Sequence, residues 1–195
     1  TVLIANRGEI ALRIIRACRE LGVSTILVHS EADANSLPVR LADKSVCIGP
    51  ARSNMSYRNQ QAVLGAALSF GADAIHPGYG FLAENAEFAA ACEKEGIIFI
   101  GPSSTVIHQM GDKIEAKKIA KKAGVPTVPG SDGAITEFAE ALKVAKDVGF
   151  PLLIKAAAGG GGRGMRVVRQ MESLENDLSE IMSEAETAFG DSSVY

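Results

Sequence analysis

Residues 151–169 read PLLIKAAAGGGGRGMRVVR: an apolar run that ends at Lys155, four consecutive glycines, and a second apolar run that begins at Met165. Two short apolar segments separated by a glycine-rich loop predict a β-hairpin. Ordering glycine costs more backbone entropy than ordering any other residue, so four glycines together are costly in a static loop. We therefore expect the loop either to be mobile or to lie against a ligand that requires bare backbone.

The composition of this loop favours phosphate binding over a hairpin tip with incidental charges. Backbone amides without neighbouring Cβ atoms can approach phosphate oxygens closely, and Arg163 and Arg166 add positive charge beside them. Lysine is uncommon in strands, yet Lys155 ends the apolar run 152–154. A cation at that position requires an anion, either on a ligand or on a carboxylate elsewhere in the chain.

A second lysine stands where a helix is expected to begin. Asp112 is suited to be the N-cap of the basic segment 112–124, which places Lys113 in the first helical turn. The helix dipole disfavours a cation there by about 0.3–1 kcal/mol, whereas phosphates bind well at helix N-termini. Lys113 is therefore either part of an anion site or a solvated surface lysine, and the residues alone leave both open.

The composition of the 195-residue chain fits a cytoplasmic α/β protein. Hydrophobic residues make up 47% and aromatic residues 5%, and Trp is absent, so the core is expected to be aliphatic. A net charge of −3 gives no support for nucleic-acid binding, and no apolar run reaches the roughly 18 residues of a membrane span. We expect neither nucleic acid nor membrane as a partner. The three cysteines are far apart and are interpreted as reduced thiols, and the three histidines lack metal-ligand spacing.

Short apolar strands and amphipathic helices alternate through the first 100 residues. Strands are predicted near 2–5, 24–29, 46–48, 74–76 and 97–100, and helices over 9–21, 59–70 and 86–94. This order predicts a Rossmann-like, doubly wound parallel sheet. The first strand-to-helix turn has Arg7 and Glu9 where a dinucleotide-binding turn has G-x-G-x-x-G, so NAD is disfavoured. A P-loop motif is also absent from the sequence.

The character of the sequence changes after Gly111, and we place a domain boundary there. Residues 112–195 predict a basic helix, a Pro/Gly-rich connector, a helix over 136–148, the hairpin and a final helix over 174–189. One face of the final helix is acidic and is interpreted as a solvated surface. Its residues are Glu172, Glu175, Asp177, Glu180, Glu184 and Glu186.

Six segments, several of them long, carry a family resemblance. They are ANRGEIALRIIRAC (5–18), HPGYGFLAEN (76–85), GP (101–102), MGDK (110–113), AGVPTVPGSDG (123–133) and FPLLIKAAAGGGGRGMRVV (150–168). Together they resemble biotin carboxylases, the ATP-grasp subunits or domains of acetyl-CoA, propionyl-CoA, pyruvate and related carboxylases. Segment 150–164 also fits the wider ATP-grasp signature that carbamoyl-phosphate synthases share. The resemblance implies that residues 1–111 are the amino-terminal Rossmann-like domain and residues 112–195 the lid half of an ATP-grasp domain.

The resemblance also implies a reaction. In that family, bicarbonate attacks the γ-phosphate of ATP to give carboxyphosphate and ADP, and biotin on a carrier protein is then carboxylated. Matched position by position, the ATP-binding residues are Lys113, Lys155, Gly161, Gly162 and Met165, and the residues facing biotin are Tyr79 and Gly80. Mg²⁺ is implied as a cofactor. The implied partners are a biotin carboxyl carrier protein or domain, a carboxyltransferase component and a second copy of the chain in a homodimer.

In the family the magnesium ligands, bicarbonate-binding residues and general base lie beyond the equivalent of Tyr195. The resemblance therefore implies no catalytic residue and no metal ligand within these 195 residues, and the chain alone is expected to be nearly inactive. Two other functions stay open. One is a different ATP-grasp ligase, such as a carbamoyl-phosphate synthase, and the other is a non-catalytic module that binds nucleotide or mediates assembly.

Overall fold

The computed structural model describes residues 1–158 and 164–195, which form two compact units, Thr1–Gly111 and Asp112–Tyr195. The strands of the first unit are β1 (Val2–Ile4), β2 (Thr25–His29), β3 (Lys44–Cys47), β4 (Ala74–His76) and β5 (Ile98–Phe99). Its α-helices are α1 (Gly8–Glu20), α2 (Leu37–Leu41), α3 (Gln60–Phe70), α4 (Ala86–Lys94) and α5 (Ser104–Gly111).

The first unit is built on a parallel sheet with the strand order β3-β2-β1-β4-β5. Both faces of the sheet are covered. Leu3 packs into one core cluster with Phe88 of α4, whereas Ile4 packs into another with Ile14 and Ile15 of α1. The predicted doubly wound sheet is confirmed. Its strand order reverses between β1 and β4, and in such sheets ligands bind outside the carboxyl ends of the strands at this point.

Two helices of the first unit were not predicted from the sequence. Helix α2 spans only about one and a half turns, too few for an apolar period to be visible, and its second residue is Pro38. In α5 only Ile107 is buried, so its apolar pattern is weak as well. Both helices are held by contacts with neighbouring elements, α2 against α1 and α5 against α4.

The second unit contains the predicted hairpin. Its elements are α6 (Lys113–Lys122), α7 (Phe138–Val148), β6 (Leu152–Lys155), β7 (Met165–Val168) and α8 (Leu174–Phe189). Strands β6 and β7 pair antiparallel, as predicted. One face of this hairpin contributes Ile154 and Val168 to a core that also contains Ala145 of α7 and Ile181 of α8. The chain then returns along the outer edge of β6, where Lys155 N donates to Tyr195 O at 3.0 Å and Tyr195 N donates to Lys155 O at 2.8 Å.

None of the helices in the described ranges 1–158 and 164–195 combines the length and the apolar character that a membrane crossing requires.

Candidate functional site

The hairpin exposes one face, and that face carries two of the predicted ATP-binding residues. Lys155 lies directly opposite Met165 in the register, and Leu153 lies opposite Val167. Directly opposed residues point to the same side of a sheet, so these four side chains share one face. Leu153, Met165 and Val167 are 44%, 47% and 52% exposed, whereas Ile154 on the other face is 6% exposed. The result is an apolar platform with an ammonium group at the end nearest the glycine loop.

In the sequence, the glycine loop connects β6 to β7. Gly161 and Gly162, which were predicted to contact phosphate, and Arg163 lie outside the described residues. Gly164 borders the loop with φ of +68°, and a Cβ built on it would lie 2.9 Å from the Cβ of Ala156. Its carbonyl accepts from the N–H of Ala156 at 2.8 Å. Glycine is therefore required at position 164 by both backbone conformation and space.

Lys155 has no carboxylate partner in the part of the chain that the structure describes. Its Nζ lies 6.0 Å from the centroid of the Tyr195 ring, a long cation–π contact. No carboxylate among residues 1–158 and 164–195 comes within ion-pairing distance of that nitrogen. Among the described residues, Lys155 is therefore not neutralised by a protein carboxylate.

An open cleft of about 580 Å³ extends from Lys155 along β6. Its walls are mostly aliphatic and include Leu153, Val144 and Leu178. Ser131 also lines the cleft, and its buried Oγ has no hydrogen-bond partner among the described residues. A cleft with apolar walls whose lining includes Lys117 and Lys155 can hold a ligand that has a flat apolar part and an anionic part.

Arg166 does not have the role that the sequence suggested. It lies opposite Ile154, on the covered face of the hairpin, and its guanidinium binds the acidic face of α8. Nη1 donates to Glu180, Nη2 donates to Glu184 Oε1 at 2.9 Å, and Asp177 lies 3.8 Å from Nη1. The prediction that Arg166 adds positive charge beside the glycine loop is wrong, because three carboxylates already surround that charge. The acidic face of α8 is likewise more than a solvated surface.

Lys113 is the first residue of α6 and is exposed. The predicted N-cap is confirmed, since Asp112 Oδ1 accepts from Ile114 N at 2.9 Å and from Glu115 N at 3.0 Å. One turn later, Lys117 Nζ donates to Ser131 O at 3.0 Å. That contact joins α6 to the Pro/Gly-rich connector, which sequence reasoning did not foresee because both groups look like ordinary surface residues.

In the first unit, the predicted biotin-facing residues Tyr79 and Gly80 lie in the loop that follows β4. This loop is joined to the β1–α1 turn by Asn6, which is fully buried. Its Nδ2 donates to Pro77 O at 2.7 Å and to Tyr79 O at 2.9 Å, and its Oδ1 accepts from Arg7 N at 2.9 Å. Both N–H donors of this buried amide are used, and its oxygen accepts one hydrogen bond. Nothing in the sequence identifies Asn6 as the residue that joins the two loops.

Close packing explains the first glycine of this loop. Gly78 has φ of +65°, and a Cβ at this position would lie 2.6 Å from Cγ2 of Ile10 and 2.8 Å from Nδ2 of Asn6. The N–H of Gly78 donates to Nδ1 of His76 at 3.0 Å. That contact requires an unprotonated Nδ1. Burial of the ring lowers the pKa of His76, which also favours the neutral ring.

A polar network occupies the turn where a dinucleotide would require glycines. Arg7 Nε donates to Asp33 Oδ2 at 2.7 Å and its Nη2 donates to Oδ1 at 2.5 Å, a two-pronged ion pair. The hydroxyl of Tyr57 donates to Asp33 Oδ2 at 2.6 Å and accepts from Ser30 N at 3.0 Å. The hydrogen bond from Arg7 and, to a smaller extent, that from Tyr57 lower the pKa of Asp33 to about 2. Sequence reasoning placed Arg7 here but missed its partners, because Asp33 and Tyr57 are far from it along the chain.

Comparison with known protein families gives two matches that together cover nearly the whole chain. The family described as biotin carboxylase, N-terminal domain, matches residues 1–107, and the family described as carbamoyl-phosphate synthase L chain, ATP binding domain, matches residues 112–195.

This chain belongs to the biotin carboxylase family.

Curated members of this family are similar over the full chain. A biotin carboxylase of Haemophilus influenzae is 56% identical over 195 residues, which are 100% of this chain and 44% of that protein. The mitochondrial propionyl-CoA carboxylase alpha chain of Homo sapiens is 48% identical over 97% of this chain and 26% of its own length. This chain therefore spans less than half the length of these two family members.

Solved structures of biotin carboxylases share the fold. The Campylobacter jejuni biotin carboxylase, solved as a β,γ-ATP complex, superposes with a TM-score of 0.89 at 53% identity, covering 100% of this chain and 44% of that one. The biotin carboxylase domain dimer of Hydrogenobacter thermophilus 2-oxoglutarate carboxylase, solved with MgADP, ADP and bicarbonate, gives a TM-score of 0.86 at 50% identity, covering 99% of this chain and 42% of that one. The predicted ATP-grasp relationship is confirmed by these likenesses.

Proposed function

We propose that this chain forms the amino-terminal domain, residues 1–111, and the lid half of the ATP-grasp domain, residues 112–195, of a biotin carboxylase. The longer protein would carboxylate carrier-bound biotin with bicarbonate at the expense of ATP. Bicarbonate oxygen bonds to the γ-phosphorus as the bond to ADP breaks, which gives carboxyphosphate. The carboxyl group is then transferred to a ureido nitrogen of biotin, with release of phosphate.

The exposed face of the hairpin is the observation that carries this proposal. Lys155 presents an ammonium group without a carboxylate partner in the described residues, beside the apolar surface of Met165, Leu153 and Val167. An adenine ring can lie on such an apolar surface while phosphate oxygens accept from the lysine. Gly161 and Gly162 remain predicted ligands of the phosphate chain through their backbone amides.

Lys113 is the second cation in the proposal. It begins a helix whose cap is formed by Asp112, so it can donate to phosphate oxygens from a helix N-terminus. Tyr79 and Gly80 are assigned to the biotin side, on the loop that Asn6 holds at the carboxyl ends of β1 and β4. Mg²⁺ is part of the proposal as the cofactor that accompanies ATP. Among residues 1–158 and 164–195, no group of three acidic, His or Cys side chains could hold a metal ion.

The reaction is tested with the chain extended to the length of its curated relatives. We expect ATP hydrolysis that depends on bicarbonate and is stimulated by free biotin, and almost no turnover from the 195-residue chain by itself. Turnover of the short chain at a comparable rate would contradict the assignment of the catalytic residues to the longer protein.

The role of Lys155 is tested by Lys155→Ala in the same extended chain. Loss of a charge-assisted hydrogen bond is expected to weaken ATP binding about 10- to 100-fold, measured by calorimetry. Lys146→Ala is the matched control, since Lys146 is an exposed lysine on α7 and its removal changes the net charge equally. Equal affinities for wild type and Lys155→Ala would remove Lys155 from the nucleotide site.

A second candidate function is carbamoyl-phosphate synthesis, because the family matched by residues 112–195 carries that description. Both activities would use the hairpin in the same way and differ in the acceptor. Stimulation of ATP hydrolysis by ammonia instead of biotin would favour this second candidate.

The proposal includes partners and location that follow from the family. They are a biotin carboxyl carrier protein or domain, a carboxyltransferase component, a homodimer and a cytoplasmic site. Copurification with a biotinylated protein would test the first of them.

A further inference from the structure

Tyr79 is 66% exposed, yet the described contacts hold it at both ends. At the backbone end, its carbonyl accepts from the buried Nδ2 of Asn6 at 2.9 Å. At the ring end, its hydroxyl donates to Oε1 of Glu9 at 2.9 Å. Asn6 lies in the turn between β1 and α1 and Glu9 lies in the first turn of α1, so one short segment of chain contacts both ends of this residue.

The backbone around Tyr79 restricts it further. Gly78 and Gly80, the residues on either side, have φ of +65° and +72°, a region that other residues seldom adopt. The next residue, Phe81, also has a positive φ of 43°. Its ring stacks on Tyr57 with centroids 5.0 Å apart, which holds the far end of the loop against the core.

The contact between Glu9 and Tyr79 is made by two exposed side chains. Hydrogen bonds at such places contribute little to folding, because water competes for both groups. The buried Asn6 already holds the loop, so stability does not require the second contact. What the second contact does change is the freedom of the ring, which would otherwise exchange between rotamers.

We propose that Glu9 is a positioning residue that holds the Tyr79 ring in one orientation, so that an exposed aromatic surface is ready for a flat, apolar-faced group. This rests on the proposed function, in which Tyr79 faces biotin, and it adds the residue that orients Tyr79. A ring fixed before binding avoids the entropy that a mobile ring would lose when the ligand arrives. Glu9 touches no ligand in this proposal and acts only through Tyr79.

The contact is tested first in the 195-residue chain, by spectroscopic titration of the tyrosines. The hydrogen bond to the Glu9 carboxylate raises the pKa of Tyr79. Glu9→Ala is expected to bring this pKa back toward its ordinary value, and Tyr79→Phe identifies the transition that belongs to Tyr79. An unchanged titration curve in Glu9→Ala would overturn the proposal, because Glu9 and Tyr79 would then not be in contact in solution.

The positioning role is tested in the chain extended to the length of its relatives. We expect Glu9→Ala and Tyr79→Phe each to raise KM for free biotin about 3- to 10-fold with KM for ATP unchanged. Glu9→Gln keeps an acceptor oxygen at the same place and is expected to recover most of the loss. Glu87→Ala is the matched control, since it removes an exposed acid from the first turn of another helix, α4.

Two outcomes of this second test would overturn the positioning role. One is an unchanged KM for biotin in Glu9→Ala. The other is a parallel rise in KM for biotin and for ATP, which indicates a general loss of structure. If the wild-type extended chain shows no biotin dependence at all, the proposed function fails instead, and the titration still decides whether Glu9 holds Tyr79.

Discussion

At the scale of single residues, Asp33 shows how a polar group can be stable in a partly buried position. Its side chain is 13% exposed, and the guanidinium of Arg7, the hydroxyl of Tyr57 and the hydroxyl of Ser30 all donate to it. A carboxylate with several donors is favoured in its charged form, which is why its pKa falls to about 2. The same network occupies the turn in which a Rossmann nucleotide site would need bare backbone.

This depressed pKa predicts a pH dependence of stability. Because the folded-state pKa lies below the ordinary value of 3.8, the stabilisation by Asp33 is fully present above about pH 4 and is lost as pH falls toward 2. The loss should be on the order of 1–2 kcal/mol, since Arg7 is half exposed and water screens part of the interaction. In Asp33→Asn this part of the acid destabilisation should be missing. Asp147→Asn on α7 is the control and should keep it.

The measurement is urea unfolding at pH 2, 3 and 4, followed by the fluorescence of the buried Tyr57 in the first unit. Parallel pH profiles for wild type and Asp33→Asn would show that Asp33 has an ordinary pKa in the folded chain.

At the scale of secondary-structure elements, the hairpin depends on α8 in two ways. Ile154 and Val168 pack with Leu178 and Ile181, and Arg166 binds the carboxylates of Asp177, Glu180 and Glu184 on the same helix. Since successive side chains of a strand point to opposite faces, fixing Arg166 on the covered side leaves Met165 and Val167 on the open side. Apolar packing and ion pairs with α8 on the covered face thus keep the apolar platform beside Lys155 on the exposed face.

Arg166→Met tests this anchoring. The substitution keeps an unbranched apolar stem but removes the charge, and we expect amide exchange in β6 and β7 to become several-fold faster. The difference from wild type should shrink at 1 M salt, where the Debye length is about 3 Å and the ion pairs are screened in both proteins. Arg169→Met, an exposed arginine just past the end of β7, is the matched control. Unchanged exchange in β6 and β7 would mean that apolar packing on α8 alone holds the hairpin.

At the scale of the whole molecule, the described residues contain separate hydrophobic cores. Two clusters lie on the two faces of the parallel sheet in Thr1–Gly111, and a third lies between the hairpin and helices α7 and α8 in Asp112–Tyr195. None of these clusters includes residues from both units. Separate cores are what allow two parts of a chain to unfold independently.

We therefore predict that a core substitution destabilises one unit at a time. Ile181→Ala removes a fully buried side chain of α8 and should lower the unfolding free energy of residues 112–195 by about 2–5 kcal/mol. The unfolding free energy of residues 1–111 should stay the same. Leu3→Ala, which removes an equally buried side chain of β1, should give the converse result. Hydrogen exchange resolved by residue separates the two cases, and an equal loss in both units would show that they unfold together.

The sequence by itself determined the elements whose signal is local. Apolar runs and glycine stops predicted the parallel sheet and the hairpin, because period and turn chemistry act between near neighbours in the chain. The long motifs predicted the family, and Asp112 predicted the start of α6. Only the tertiary structure showed that Asn6 joins two loops about 70 residues apart and that Arg166 binds carboxylates of α8. These are choices of partner between distant residues, and the position of a side chain in sequence does not specify which distant group it will meet.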